Sequence, residues 1–472
     1  MKILSVLILL MISISVPAQK KWTLQECLQH ARTNNLTLKQ AEADIQSAEI
    51  NYKNAKEKML PTLNIGSSAT WNYGLTQNLT TGLLEHQTVF GNTVRISSEL
   101  PLFQGFFLQH NKRLAQAETW LAQYRLENRQ KEIETNITNA YLQALMNNEA
   151  LKAAQSQWQS ALAQVEKMKE LVNAGIRPQS DLKDLEAQAA NDYFNYIRTK
   201  NLLKLSLMNL AQLLELNDIN NFDIDPRTER FPVNEAILLK EPEKLFEENI
   251  TKLPEYLMSA TQEKMALRQI QAARSGLYPN ISFFFSWNSR FVDREQVIGA
   301  EIDPDEPYRI IGITQNTNEP VISPNFRRIL GPPDPYFTQL ENNSGTAFGF
   351  SVNIPVFNRF QTRRRIQKAT IEWEKSKMAL SQQKKQLRNR IYQLYADVIN
   401  AREKEKAALK SKEAAETAYR YAEEKLKAGL MSPYDLENIK SRKMQALTNY
   451  INAKFEYLLK LKLLEISLKS YE

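Results

Sequence analysis

Residues 100–105 read Leu100-Pro101-Leu102-Phe103-Gln104-Gly105, and 174–175 read Ala174-Gly175. The chain writes the frame again as Ile354-Pro355-Val356-Phe357 and Ala428-Gly429. Both marks are displaced by 254 residues, so each copy keeps a spacing of 74 from Pro to Gly. Of 13 glycines, only Gly175 lies between Phe106 and Ser275, and only Gly429 lies beyond Phe350. Proline is absent from the helical stretches 107–216 and 358–472 apart from Pro178 and Pro433, beside those two glycines. With helix breakers confined to one point per passage, the pattern predicts two helical hairpins with tips at 175–180 and 429–434. An arm from Gln104 to Val172 is about 100 Å long at 1.5 Å per residue, far beyond an ordinary globular helix.

The apolar spacing agrees. Ile137, Ala140, Tyr141, Ala144 and Leu145 follow i, i+3, i+4, i+7, i+8, and the residues 254 further on are Ile391, Leu394, Tyr395, Val398 and Ile399. This stripe reads as coiled-coil-like packing and not as a cofactor site. Outside the arms the period changes to two. Leu63, Ile65, Ala69, Trp71 and Tyr73 alternate with small polar residues, and Val94, Ile96, Ser98 and Leu100 with Arg95, Ser97 and Glu99. Ile281, Phe283, Phe285 and Trp287 follow the same rule, broken only by Phe284, and so do Phe348, Phe350, Val352 and Ile354. Such segments have the length and alternation of membrane-barrel strands. A half-buried soluble sheet alternates in the same way; uncharged apolar faces and aromatic ends (Trp71, Tyr73, Trp287, Phe291) favour the membrane. The first strand pair encloses a Thr/Gly-rich loop at 74–91. The second encloses a longer one, 292–345, whose seven prolines predict an irregular surface excursion.

Composition narrows the function. Lys2 followed by the apolar run Ile3–Val16 and by Pro17-Ala18 has the layout of a secretory signal peptide, cleaved near residue 18. One cysteine, Cys27, excludes an internal disulfide framework, and three scattered histidines give no metal-ligand spacing. The net charge of +8 is spread among Lys, Arg and Glu along helices, which reads as solvated faces and not as a nucleic-acid stripe. No GxSxG, P-loop, paired-carboxylate or His/Cys cluster is present, so the chain reads as a non-enzyme without cofactor or resident metal. No segment after residue 18 runs 18 apolar residues, so membrane residence requires a barrel. Four strands are too few to close one, because about eight is the practical minimum. The chain must therefore oligomerise, each protomer giving four strands to a shared pore continued by a helical tube.

The opening Trp22-Thr23-Leu24-Gln25-Glu26-Cys27-Leu28, the strand starts Leu60-Pro61 and Tyr278-Pro279, the two Pro-Phe frames and both Ala-Gly tips together resemble the outer-membrane efflux proteins of the TolC family. These are exit ducts of tripartite efflux pumps and type I secretion systems. The resemblance implies a mainly α protein with transmembrane β, a homotrimer with a 12-stranded β-barrel in outer-membrane lipid and an α-barrel in the periplasm of a Gram-negative bacterium. It implies docking to a periplasmic adaptor and, through it, to an inner-membrane transporter. The layout becomes a signal peptide over 1–18 and a first repeat over 19–216, with strand pair near 62–102. A connecting segment follows over 217–250, then a second repeat over 251–472, with strand pair near 280–356 and external loop 292–345.

The family pattern also marks the tips. It places acids six and nine residues after the second tip glycine, where Asp435 and Asn438 stand; Asp181 and Asp184 hold those places in the first copy. These four are the candidate pore constriction, and an acidic ring there favours cations and divalents. A basic residue two places after the second glycine is missing, with Met431 there and Arg177 at the equivalent place in the first copy. Gly175, Gly429, Ser180, Ser432, Arg177 and Met431 are the candidate adaptor-contacting tips. Ser180, Asp181, Ser432 and Asp435 also suit a helix N-terminal turn. Two rivals share parts of the pattern. A periplasmic adaptor would carry one hairpin between small β-domains, and a non-pore coiled-coil envelope protein would lack barrel-like strands.

Overall fold

The computed structural model describes residues 21–77, 83–219, 221–227, 231 and 233–470; the signal-peptide segment lies outside them. The chain is mostly helical. In order it forms β1 (Lys21–Trp22), α1 (Leu24–Asn34), α2 (Leu36–Glu57), β2 (Thr62–Gln77), β3 (Leu84–Gln104), α3 (Phe107–Asn173) and α4 (Gln179–Leu213). There follow β4 (Asp223–Ile224), α5 (Pro242–Asn249), α6 (Pro254–Arg274), β5 (Asn280–Asp293), β6 (Gln296–Ile302), β7 (Tyr308–Ile313), β8 (Pro320–Pro324) and β9 (Phe326–Gly331). The chain continues through α7 (Tyr336–Asn342), β10 (Gly345–Asn353), α8 (Gln361–Lys427) and α9 (Pro433–Leu468). Helices α3 and α8 each have 67 residues and are displaced by 254.

Two compact units divide the chain. The first takes residues up to Ile50, Ala115–Leu267 and everything from Ile371 on. Its helix α1 starts with a capping box: the Thr23 hydroxyl accepts the Glu26 N–H, and the Glu26 carboxylate accepts the Thr23 N–H. Cys27 and Ala31 then pack on Ile137, Tyr141, Ala144 and Leu145 of α3 and on Leu210 of α4. Burying each of the larger apolar side chains stabilises the unit by about 1.5–3 kcal/mol. The Tyr141 hydroxyl lies 3.2 and 3.3 Å from the carbonyls of Trp22 and Asp225, at the ends of the parallel pair β1–β4. The 254-shifted stripe meets other partners. Ile391 packs with Leu245, Phe246 and Leu253, and Val398 with Tyr457, Leu461 and Leu464.

The second unit, Asn51–Leu114 and Arg268–Thr370, is built on an antiparallel sheet ordered β10-β5-β3-β2. Register sorts its faces. Ile65 opposes Ile96, which opposes Trp287; Phe285 opposes Phe348 and Phe283 opposes Phe350. Leu63, Trp71, Tyr73, Val94, Ile281 and Val352 share that face, while Asn64, Ser68, Arg95, Ser97, Ser286 and Ser351 share the other. Many of the apolar residues are open to the outside, Tyr73 at 81% and Phe348 at 73%. The sheet is open, with β2 and β10 as its edges. Of the polar residues that interrupt the apolar face, α7 covers Asn92 and Ser289: the Tyr336 hydroxyl donates to Asn92 Oδ1 at 2.7 Å, and Ser289 Oγ donates to the Leu340 carbonyl at 2.5 Å. The Gln339 side-chain amide pairs with the Val292 backbone at 3.1 Å in both directions.

The corner from strand to long helix is the same in both copies. Gly105 and Phe106 have φ of 59° and 67°, Arg359 and Phe360 of 55° and 60°. In each, two phenylalanines meet edge to face, Phe103 with Phe106 at 5.2 Å and Phe357 with Phe360 at 5.4 Å.

The 292–345 excursion departs from the irregular loop expected of it. It folds into two antiparallel ribbons, β6–β9 and β7–β8, followed by α7. Its prolines punctuate these ribbons: Pro320 and Pro324 bound β8, and Pro304 and Pro307 sit between β6 and β7. The β-branched runs Val297-Ile298 and Ile310-Ile311 supply the strands.

Candidate functional site

Both hairpin tips end their first helix in the same way. The Gly175 N–H bonds to the Val172 carbonyl at 2.9 Å and the Ile176 N–H to Leu171 at 2.9 Å; Gly429 bonds to Leu426 at 3.1 Å and Leu430 to Lys425 at 2.8 Å. This is the Schellman closure, which needs a left-handed residue at the turn. Gly175 and Gly429 supply it, with φ of 73° and 68°. No atom lies within 4 Å of a Cβ built on either, so conformation and not space demands glycine.

The return helices start differently. Ser432 is the N-cap of α9: its hydroxyl accepts the Asp435 N–H at 3.2 Å and lies 2.7 Å from Asp435 Oδ2. The N-cap of α4 is Pro178, which offers no side-chain bond. A capping role for Ser180 is therefore corrected. The helix starts at Gln179, so Ser180 already lies inside it, and its hydroxyl donates to Asp181 Oδ1 at 3.4 Å. Asp181 stands in the first turn, where a carboxylate complements the helix dipole, and faces Arg177 at 3.8 Å.

A cleft of about 850 Å³ runs between α4 and α9. It brings together Arg177, Asp181, Asp184, Ser432 and Asn438. Asp435, Met431, Ser180, Gly175 and Gly429 are not among its lining residues. Sequence reading missed Gln188 and Asp192 of α4 and Tyr434, Glu437 and Lys440 of α9, although steps of three, four or seven residues lead from Asp181 to Gln188 and Asp192, and from Tyr434 to Glu437 and Lys440. The cleft holds four carboxylates against two cations. Asp192 is held by Gln157 and Gln188 at 3.1 and 3.2 Å, whereas Asp184 has no hydrogen-bond or ionic partner among the described residues.

Lys440 is buried, reaches Glu437 at 3.5 Å and donates to Gln164 at 3.4 Å. It also lines a second cleft of about 760 Å³ between α3, α8 and α9, of opposite sign, with six cations against three carboxylates. There the Lys443 ammonium sits 4.3 Å from the Tyr419 ring and Lys412 5.2 Å from Tyr450. Burial, then the Glu423 carboxylate, pushes the Tyr419 hydroxyl far above its usual range, so it stays protonated. Among the described residues no group of three or more His, Cys, Asp or Glu could hold a metal ion, and no helix is long and apolar enough to cross a membrane.

Comparison with known proteins places this architecture. The chain is 25% identical over 290 residues to outer membrane protein TolC of Escherichia coli (strain K12), covering 59% of this chain and 54% of TolC. It is 25% identical over 295 residues to TolC of Salmonella enteritidis, so it spans about half the length of the curated relatives it matches. Its fold is that of CusC, solved in crystal structures concerned with folding and transmembrane channel formation, at a TM-score of 0.74 and 13% identity over 95% of this chain and 92% of that one. The outer membrane protein VceC of Vibrio cholerae superposes at 0.72 and 13% identity, over 95% and 97%. The model of the outer membrane efflux protein family matches residues 27–215 and 253–465, which take in both helical hairpins; this chain belongs to that family.

Proposed function

We propose that three copies of this chain close their four-stranded sheets into one 12-stranded barrel in the outer membrane, and that the hairpins continue it as a duct through the periplasm. The observation that carries this is the sheet: one predominantly apolar face, one predominantly polar face and two open edges. An open edge is not tolerated in lipid, and a barrel with apolar residues outside and polar residues inside satisfies both faces. The duct conducts passively what an inner-membrane transporter delivers through a periplasmic adaptor. The tips form the gate: Asp181, Asp184, Asp435 and Asn438 surround the constriction, and Gly175, Arg177, Ser180, Gly429, Met431 and Ser432 meet the adaptor.

The test is extraction from outer-membrane fractions followed by recording in planar bilayers. A heat-modifiable trimer with steady conductance supports the duct, and a soluble periplasmic monomer overturns it. Asp181→Ala with Asp435→Ala should relieve divalent block at the gate; unchanged block removes these carboxylates from the constriction. Gly429→Trp should leave the trimer intact and abolish adaptor-dependent export; retained export contradicts the tip assignment.

A further inference from the structure

The chain's positive charge is gathered at one place in the fold. Four backbone segments join the sheet to helices: 51–61 before β2, 104–114 after β3, 268–279 before β5 and 358–370 after β10. Register puts all four at the same end, since Thr62 pairs with Glu99, Gln104 with Asn280, and Asn280 with Asn353. They contain twelve Lys and Arg and a single acid, Glu57. Their net charge is +11 against +8 for the whole chain, so the remainder sums to −3. At the opposite end of the sheet, residues 292–345 carry nine acids and four bases, a net of −5.

The densest part is the start of α8, where Arg359, Arg363, Arg364, Arg365 and Lys368 are all exposed. Successive residues on a helix point about 100° apart, so three arginines in a row cover most of its circumference and some face outward in any assembly. Among the described residues, none of the twelve cations forms an ion pair with a carboxylate of this chain. Arg365 borders a cleft of about 370 Å³ with Gln104, Phe107, Gly276, Asn280 and Thr362. Nearby, His110 is held below its usual pKa by burial and then by Arg113 and Arg268, as expected in a field of positive sign.

We infer that this collar is a docking surface for anionic phospholipid headgroups of the leaflet on the helical side of the membrane. The inference rests on the reading of the sheet as a membrane barrel. The apolar face begins at Leu63, Ile281 and Val352, directly beyond the strand ends; Lys58, Arg274 and Arg359 lie within a few residues of the strands, at the depth of a headgroup layer, and the other cations follow within about three helical turns, from which long Lys and Arg side chains reach toward it. Lysines and arginines close to an anionic membrane surface each add appreciable attraction, which falls off within a Debye length. The uncompensated charge finds its counterions there, and the collar fixes how deep the barrel sits.

The experiment reconstitutes the full chain in nanodiscs of mixed phosphatidylglycerol and phosphatidylcholine and counts the lipids that remain bound after detergent transfer, by native mass spectrometry. The wild type should retain phosphatidylglycerol about tenfold over phosphatidylcholine at low salt and lose the preference in 1 M salt, where the Debye length is about 3 Å. R363Q/R364Q/R365Q/K368Q should lose most of it, and R363K/R364K/R365K should keep it. An inserted wild type without lipid preference overturns the collar and leaves the barrel standing, as does a Gln variant that retains the preference. Displacement of the lipid by soluble polyglutamate at equal charge assigns the surface to an acidic protein and overturns the lipid assignment. A chain that does not enter bilayers at all overturns the barrel instead.

Discussion

Gly105→Ala separates two reasons for glycine, because the duplicated corner supplies its own control. Gly105 has φ of 59°, so any side chain there meets the left-handed penalty of about 1–2 kcal/mol. A Cβ would in addition lie 2.4 Å from the Ser275 carbonyl oxygen and 2.8 Å from Tyr278 Cβ. Both are held by backbone at the β5 entry, so relief requires the corner to move, adding about 1–3 kcal/mol. Part of the sum, about 0.4–1 kcal/mol, is returned by the stiffer unfolded chain, leaving a net loss of roughly 2–4 kcal/mol. Gly429→Ala meets the same backbone penalty with nothing within 4 Å, and should lose about 1 kcal/mol or less. Arg359 occupies the equivalent of Gly105 in the second copy with φ of 55°, and Arg359→Gly should be neutral or stabilising by under about 1 kcal/mol. The assay is thermal unfolding of the purified protein by far-UV circular dichroism at one fixed scan rate, because unfolding of such assemblies is rate-dependent. The expected order of midpoints is Arg359→Gly at or above wild type, Gly429→Ala slightly below, Gly105→Ala well below. Equal midpoints for Gly105→Ala and Gly429→Ala would refute the close approach at the corner.

Three further outcomes follow from the same geometry. Phe285→Arg on the apolar face, midway along β5, should impair membrane insertion, at about 2–4 kcal/mol near the bilayer centre, while Ser286→Arg on the polar face should insert normally; heat-modifiable assembly in outer-membrane fractions reads the difference. Glu255→Ala strands the buried Lys131 ammonium, now 2.9 Å from that carboxylate, and should destabilise by about 3–5 kcal/mol, whereas Lys131→Met with Glu255→Leu should recover most of the loss in a double-mutant cycle. His110 has a pKa below 6.5 in the folded protein, so the unfolded chain binds its proton first as pH falls; stability should decline as pH drops below 6.5, and His110→Gln should remove that part of the slope in pH-dependent urea melts.

Helical character was legible because breakers are so few: nothing between Phe107 and Asn173, or between Gln361 and Lys427, offers a stop until Gly175 and Gly429. The strands were legible because apolar and polar residues alternate, with no charge on the apolar side of β5 before its last residue, Asp293. Two-residue strands such as β1 and β4 show no period, and their parallel pairing depends on tertiary contacts around Tyr141. The ribbons at 296–331 were obscured by proline density, although the prolines fall at ribbon ends where they cost no ladder bonds. At the candidate site, the 254-residue displacement pairs Pro178 with Ser432, so the capping hydroxyl of the second copy has no counterpart in the first. Lys440 was invisible because a lysine on a polar helix face reads as solvated, and only the packing of α3, α4 and α9 reveals that it is enclosed between two clefts of opposite sign.

The two copies share what a long rigid arm requires and differ wherever a neighbour differs. Helix length, Schellman closure and the double left-handed corner recur at the same displacement, because each is fixed by backbone geometry within one copy. The stripe's partners do not recur: Tyr141 packs under β1 and β4, while Tyr395 and Ile391 receive α5 from the connecting segment. The corner glycine persists only where the β5 entry presses on it, and gives way to Arg359 where the second corner is exposed. That replacement adds a cation to the collar at a place where a side chain has room. Relaxed packing at the second corner and the concentration of charge there are thus connected: the position freed from steric demand carries charge, and Arg363–Arg365 extend that charge through the first turn of α8.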